Sequence, residues 1–183
     1  MGPADCTHLY NCSCLGGNLR PHDAVKNTLA HAVHQCGLTS ALPKTEVEMN
    51  RDGCRTWHSD IQFLDDSTGR LFVVDVALVN IDAATALQRR GDFGDAEASL
   101  VQVEEEKRAL PIPARLEQAE GASTVFVPFV MSSAGGFGPA ARAFLKTLYA
   151  TARARGRWLM ASGQPALELA WNTVFASTYW TCA

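Results

Sequence analysis

Residues 55–80 read RTWHSDIQFLDDSTGRLFVVDVALVN, and how this stretch is read decides the fold. TWHSDIQFL reads as a strand, DDSTG as a tight turn and RLFVVDVALV as a second strand whose valine-rich run suits burial. Strands joined by so short a turn pair antiparallel as a hairpin. One residue does not fit a buried strand: Asp75, in the middle of LFVVDVALV. An isolated carboxylate there is strongly disfavoured or takes up a proton, so a buried Asp normally has a cation, a metal or strong donors beside it. In a hairpin closed by DDSTG, positions equidistant from the turn face one another, so Asp60 of HSD and Asp75 can converge. Two carboxylates at that range repel unless a divalent cation neutralises them, and hard oxygen ligands suit Mg or Mn. The plainer alternative leaves Asp60 solvated at a strand end and Asp75 hydrogen-bonded to a neighbouring strand or helix.

Working outward, HDAVKNTLAHAVHQCG places Val25, Leu29, Val33 and Cys36 at helical spacing and predicts a helix from Asp23 to Cys36, stopped by Gly37. TEVEM is a short alternating strand and NRDG a turn. Beyond the hairpin, NIDAATALQRRGDFGD is a loop or broken helix, and AEASLVQVEEEKRAL is a helix halted by PIP. STVFVPFVM follows as a buried strand, SSAGGFGP as a glycine-rich turn, and PAARAFLKTLYATARARG as a helix with Pro139 in its first turn. The order is helix, three strands, helix, strand, helix: an α/β chain with a small mixed sheet.

The 183 residues make one domain, with residues 1–20 expected as an N-terminal arm and 21–183 as the folded body. A hydrophobic content of 47% against 19% charged residues is that of a globular chain, not a disordered one. No apolar run approaches the roughly 20 residues of a membrane helix, and MGPADCTHLY lacks the basic and apolar regions of a signal peptide. No membrane partner and an intracellular location are therefore expected. Cysteines crowded into DCTHLYNCSC then read as metal ligands rather than disulfides. The net charge of -3 argues against whole-surface affinity for nucleic acid. Its distribution points differently: Gly121 to Leu167 holds no acidic residue, while Arg142, Lys146, Arg153, Arg155 and Arg157 fall within it.

This order of elements, with an Asp on each hairpin strand and a Lys on the next helix, resembles the PD-(D/E)XK nuclease fold. More narrowly, it resembles the restriction-like endonuclease domain that follows the reverse transcriptase in site-specific non-LTR retrotransposons. The matching pieces are THLYNC, RPHDAVKNTL for the family's Arg-His-Asp helix start, HSDI for Arg-Pro-Asp, VVDVALVN for Asp-Val, EEEKR for the Glu and Lys helix, and FVPFVMSSAGGFGPAARAFLKTL for the last strand, Gly-Gly turn and helix. The resemblance covers nearly the whole chain in order. The family's Pro before the first acid is Ser59 here, its aromatic after the helix lysine is Leu110, and the common lysine position two residues after the second acid is Ala77.

The resemblance implies a restriction-endonuclease-like α-β-β-β-α-β core and metal-dependent hydrolysis of DNA phosphodiesters. Asp60 and Asp75 would hold Mg or Mn, Lys107 would orient the attacking water, and Glu104, one turn earlier on the same helix face, would orient Lys107. His22 and Asp23 match the helix start, where they reach the phosphate or a second metal; a carboxylate favouring the helix N-terminus explains Asp23 equally well. His31 and His34 read as ordinary helix residues. His8 and Cys12 resemble half of the family's zinc knuckle, and Cys6 and Cys14 would complete a four-ligand zinc set only at a cramped spacing; the alternative is an arm without metal. DNA is the implied partner, held through Arg142, Lys146, Arg153, Arg155 and Arg157, with a reverse transcriptase module in the parent element. The rival reading keeps the fold without the chemistry, as an inactive nucleic-acid-binding or interaction module. An α/β enzyme using Cys36 or Cys54 as nucleophile is a third.

Overall fold

The structure, a computed structural model, describes residues 19–49, 57–80, 96–110, 123–132 and 135–156. The elements run α1 (Leu19–Gln35), β1 (Lys44–Met49), β2 (Trp57–Leu64), β3 (Leu71–Val79), α2 (Ala96–Arg108), β4 (Thr124–Ser132) and α3 (Pro139–Ala154). This is the expected order, in an α/β chain with one four-stranded mixed sheet of order β1-β2-β3-β4. β1, β2 and β3 form an antiparallel meander, and β4 lies parallel to β3 after the crossover through α2. The expected NRDG turn, the segment 81–95, the PIP stop, the arm with His8 and Cys12, Cys54 and Arg157 lie outside the described residues.

The hairpin forms where it was expected. Asp65 closes the turn: its carboxylate accepts from the Ser67 N–H at 2.9 Å, the Ser67 hydroxyl at 2.7 Å and the Thr68 hydroxyl at 2.6 Å. Gly69 adopts φ 68°, the left-handed conformation that glycine takes without steric cost. The resulting register sets Leu64 against Leu71 and Ile61 against Val74.

α1 starts earlier than its apolar spacing indicated, at Leu19 rather than Asp23. Pro21 falls in its first turn, where a missing N–H costs nothing because that donor has no intrahelical partner. Asp23 is therefore inside the helix and is not its cap.

The two faces of the sheet are covered differently. α1 and α3 pack on one, burying Val25, Leu29 and Val33 of α1 and Ala141, Phe144, Leu148 and Ala152 of α3 against Ile61, Phe63, Val74, Val76, Val127 and Phe129. α2 covers the other through a small cluster in which Leu100 meets Val79 and Val130, with Ala77 and Val103 beside them. Alternation along β3 sends Val74 and Val76 to the first face and Ala77 and Val79 to the second. Among the described residues, no helix is long and apolar enough to cross a membrane.

Candidate active site

β2 and β3 pair as far as Ile61↔Val74 and then part. Beyond that point β2 continues against β1, out to Met49↔Trp57, while β3 continues against β4 to Val79↔Ser132. Asp60 and Asp75 are the next residues on the two strands, so the sheet forks at the position where they stand opposite each other. Each is 9% exposed. The backbone donor freed by the fork is used at once: the Val76 N–H donates to Asp60 Oδ2 at 2.6 Å.

Two basic side chains approach this pair from different elements. Lys107, in the last turn of α2, donates from Nζ to Asp75 Oδ2 at 2.7 Å. His22 of α1 brings Nε2 to 3.3 Å from Asp60 Oδ2 and Nδ1 to 3.4 Å from Asp23 Oδ1. The two carboxyl groups also perturb each other: Asp60 pushes Asp75 up, while Asp75 helps to hold Asp60 low. Burial pushes the Asp75 carboxyl up; the Lys107 ammonium pulls it back in part, and the charge and hydrogen bond of Asp60 leave it above the usual range. Burial acts on Asp60 in the same sense, but the hydrogen bond and charge of His22, the Val76 N–H and the neighbouring Asp75 side chain together hold it below its ordinary value. His22 is raised chiefly by its hydrogen bond to Asp60, against burial, which lowers it.

Sequence reasoning missed a second layer. Lys26, one turn after His22 on α1, is 5% exposed; its Nζ donates to Asp23 Oδ1 at 2.8 Å and also binds the Glu46 carboxylate of β1. The β1–β2 register puts Glu46 opposite Asp60, and Glu46 adopts φ 53°, a conformation that costs a non-glycine residue of order 1 kcal/mol. The i, i+1, i+4 spacing of His22, Asp23 and Lys26 was the available signal for a polar helix stripe, though it does not reveal a strand partner.

The remaining candidates divide. Glu104 does not orient Lys107 directly: its two carboxylate oxygens accept from the Ala140 N–H of α3 at 2.9 and 3.1 Å, and Arg108 lies 3.7 Å away. Arg142, Lys146 and Arg153 share one exposed stripe of α3 with Tyr149, at i, i+4, i+11 and i+7. Neither Lys146 nor Arg153 is ion-paired to a described residue, whereas Arg142 pairs with Glu97 and donates to the Phe137 carbonyl at 2.9 Å. Arg155 is off this stripe and holds the Gly37 carbonyl instead. Among the remaining histidines, His31 is exposed and His34 half-buried, as expected of helix residues. Burial pushes the Cys36 thiol up to about 11, which removes the thiolate a nucleophile needs.

Among the described residues no cluster of three or more His, Cys, Asp and Glu side chains could hold a metal. The donor set at the fork, two carboxylates, nevertheless matches what Mg requires, since that ion keeps several waters and takes one or two protein carboxylates plus substrate phosphate oxygens. Burial and the neighbouring Asp60 push the Asp75 carboxyl up, which marks a place where two acidic groups are incompletely balanced. Comparison with protein-family models, curated proteins and solved structures returned no match.

Proposed function

We propose that the chain is a metal-dependent DNA endonuclease with a restriction-like endonuclease fold, of retrotransposon origin. The observation that carries this reading is the convergence of Asp60, Asp75 and Lys107 from three elements on one point where the sheet forks. A structural ion pair needs one acid and one base. Here a second acid is buried beside the first and is steadied by a backbone N–H and a histidine, an arrangement that suits binding a cation better than stabilising a fold.

Asp60 and Asp75 would hold Mg or Mn, which when bound polarises the scissile phosphate and lowers the pKa of a coordinated water. The Val76 N–H fixes the Asp60 carboxylate, so one oxygen direction is set before substrate arrives. Lys107 stands at Asp75, where its ammonium can orient a water and stabilise charge that develops on the phosphate. His22 borders Asp60 from α1 and offers a donor to a phosphate oxygen on that side. DNA would lie along α3, with Lys146 and Arg153 as phosphate contacts and Arg142 joining them if it leaves Glu97.

The test is nicking of supercoiled plasmid by purified protein with and without Mg or Mn, beside an Asp60→Asn, Asp75→Asn double variant verified as folded. Metal-dependent nicking that the double variant lacks supports the reading. A folded wild type that leaves the plasmid intact but binds DNA would establish the inactive binding module in its place.

A further inference from the structure

Glu104 is the most deeply buried acid among the described residues, at 2% exposure, and the acid pair does not account for it. It belongs to the sheet-facing stripe of α2, Leu100, Val103, Glu104 and Lys107, at i, i+3, i+4 and i+7. Two of these four are charged, so the apolar contact that would normally seat a helix on a sheet is thin. Glu104 finds its partner on α3. That helix begins at an N-cap, Gly138, which offers no side-chain cap, followed by Pro139, which has no N–H. Ala140 therefore carries an orphan donor, and Glu104 accepts it with both oxygens. The negative charge also faces the positive end of the α3 dipole. The fit is close: a Cβ on Gly138 would overlap Glu104 Oε1. The other end of α2 is tied to the same helix through Glu97 and Arg142.

We propose that Glu104 is the positioning residue of Lys107: by anchoring α2 to the N-terminus of α3, it sets the rotation and height at which the Lys107 ammonium meets Asp75. Lys107 lies three residues beyond the anchor, about 4.5 Å along the axis. The kinetic consequence rests on the nuclease reading, whereas the placement of Lys107 is a property of the fold and is tested separately.

The first measurement is the rate of reductive dimethylation of Lys107, followed by mass spectrometry with exposed Lys146 as the internal reference. Glu104→Ala and Gly138→Ala each raise the relative rate at Lys107 about tenfold by releasing α2, while Glu104→Gln, which keeps the acceptor, stays within about twofold of wild type. If Glu104→Ala does not fold, the contrast between Gly138→Ala and Glu104→Gln carries the same test. An unchanged Lys107 rate in folded Glu104→Ala or Gly138→Ala overturns the proposal.

The second measurement is plasmid cleavage in a double-mutant cycle. Glu104→Ala lowers kcat about 100-fold with KM for DNA unchanged, and this loss vanishes in a Lys107→Ala background. An equal loss in both backgrounds overturns the proposal, since Glu104 would then act through general stability. A wild type that cleaves no DNA removes the nuclease reading and leaves the labelling comparison to decide this one.

Discussion

The face of the sheet under α1 and α3 and the face under α2 come from the same strands, yet they are held by different physics. On the first, Phe63 stacks on Phe72 with centroids 5.0 Å apart, and Phe144 packs on both and meets Phe129 edge-on at 6.4 Å. On the second, a small cluster of buried Val79, Leu100 and Val130 is accompanied by Asp75, Lys107 and Glu104. Apolar burial is non-directional and stabilises in proportion to area, while a buried charge is tolerated only where a partner meets it. The difference separates two kinds of packing: one face supplies the stability that lets the other bury charged groups which stabilise the fold poorly.

The largest effect is expected on the first face. Phe144→Ala removes the ring at the centre of the aromatic cluster and should cost about 3–5 kcal/mol, whereas Leu100→Ala, in the thinner cluster, should lie near the low end of the roughly 2–5 kcal/mol for such truncations. Urea denaturation of both variants checks this. Equal losses would mean that α2 is seated as firmly as α1 and α3, and the division of labour would fail.

The next effect belongs to the second face and inverts the pattern. Asp75→Asn and Lys107→Ala should each lower Mg-dependent cleavage by at least about 100-fold, comparable to removing a charge-stabilising group from an active site. Asp75→Asn should change stability by no more than about 1 kcal/mol, because the amide keeps the shape, still accepts from Lys107 and removes the repulsion with Asp60, whereas Lys107→Ala, which strips a buried carboxylate of its ammonium, should cost more. Parallel plasmid nicking and denaturation measure both quantities; a stability loss in Asp75→Asn matching that of Phe144→Ala would make the pair structural.

These two faces were not equally legible in the sequence. Periodicity and turn residues located the helices and strands because each signal is local, and the short DDSTG turn fixed the register that sets Asp60 against Asp75. Lys107 at Asp75 was reachable from the family resemblance. The partner of Glu104 was not: it lies 36 positions away on a backbone N–H, and a backbone donor leaves no mark in the residue pattern. The Lys26–Glu46 contact was hidden in the same way, since the register of β1 against β2 depends on a connection outside the described residues. Early entry into α1 at Leu19 was obscured by Pro21, which reads as a breaker unless it falls in a first turn.

A smaller effect should appear with pH, at the junction of the two faces where α1 reaches the acid pair. The hydrogen bond that His22 donates to Asp60 raises the imidazole above its ordinary 6.5, so the folded state binds this proton more tightly than the unfolded chain does. The resulting stability is fully present below pH 6.5 and is lost as pH rises through the folded-state value. Asp60 works in the opposite sense: lowered in the fold, it contributes above its ordinary 3.8, and that contribution fades in acid. Side-chain NMR should find His22 titrating above 6.5 in the wild type and lower in Asp60→Asn, where burial persists without the carboxylate. Saturating Mg should also lower it, since a cation at Asp60 opposes the imidazolium. A His22 titration indifferent to Mg would argue against metal at this pair.

The smallest effect concerns the exposed stripe of α3, which belongs to neither packed face. Each phosphate contact releases counterions, so Lys146→Ala and Arg153→Ala should each reduce the slope of log affinity against log salt by about 0.9 on duplex DNA, with affinity weakened alike for all sequences. Arg142→Ala should change the slope less, because its guanidinium must first leave Glu97 and the Phe137 carbonyl. Arg155→Ala should leave the slope unchanged and instead loosen the contact between the end of α3 and Gly37. Fluorescence anisotropy over a salt series distinguishes these cases. A uniform response from all four would show that DNA reads net charge and not the α3 stripe, while no response from Lys146 and Arg153 would move the DNA path off this helix altogether.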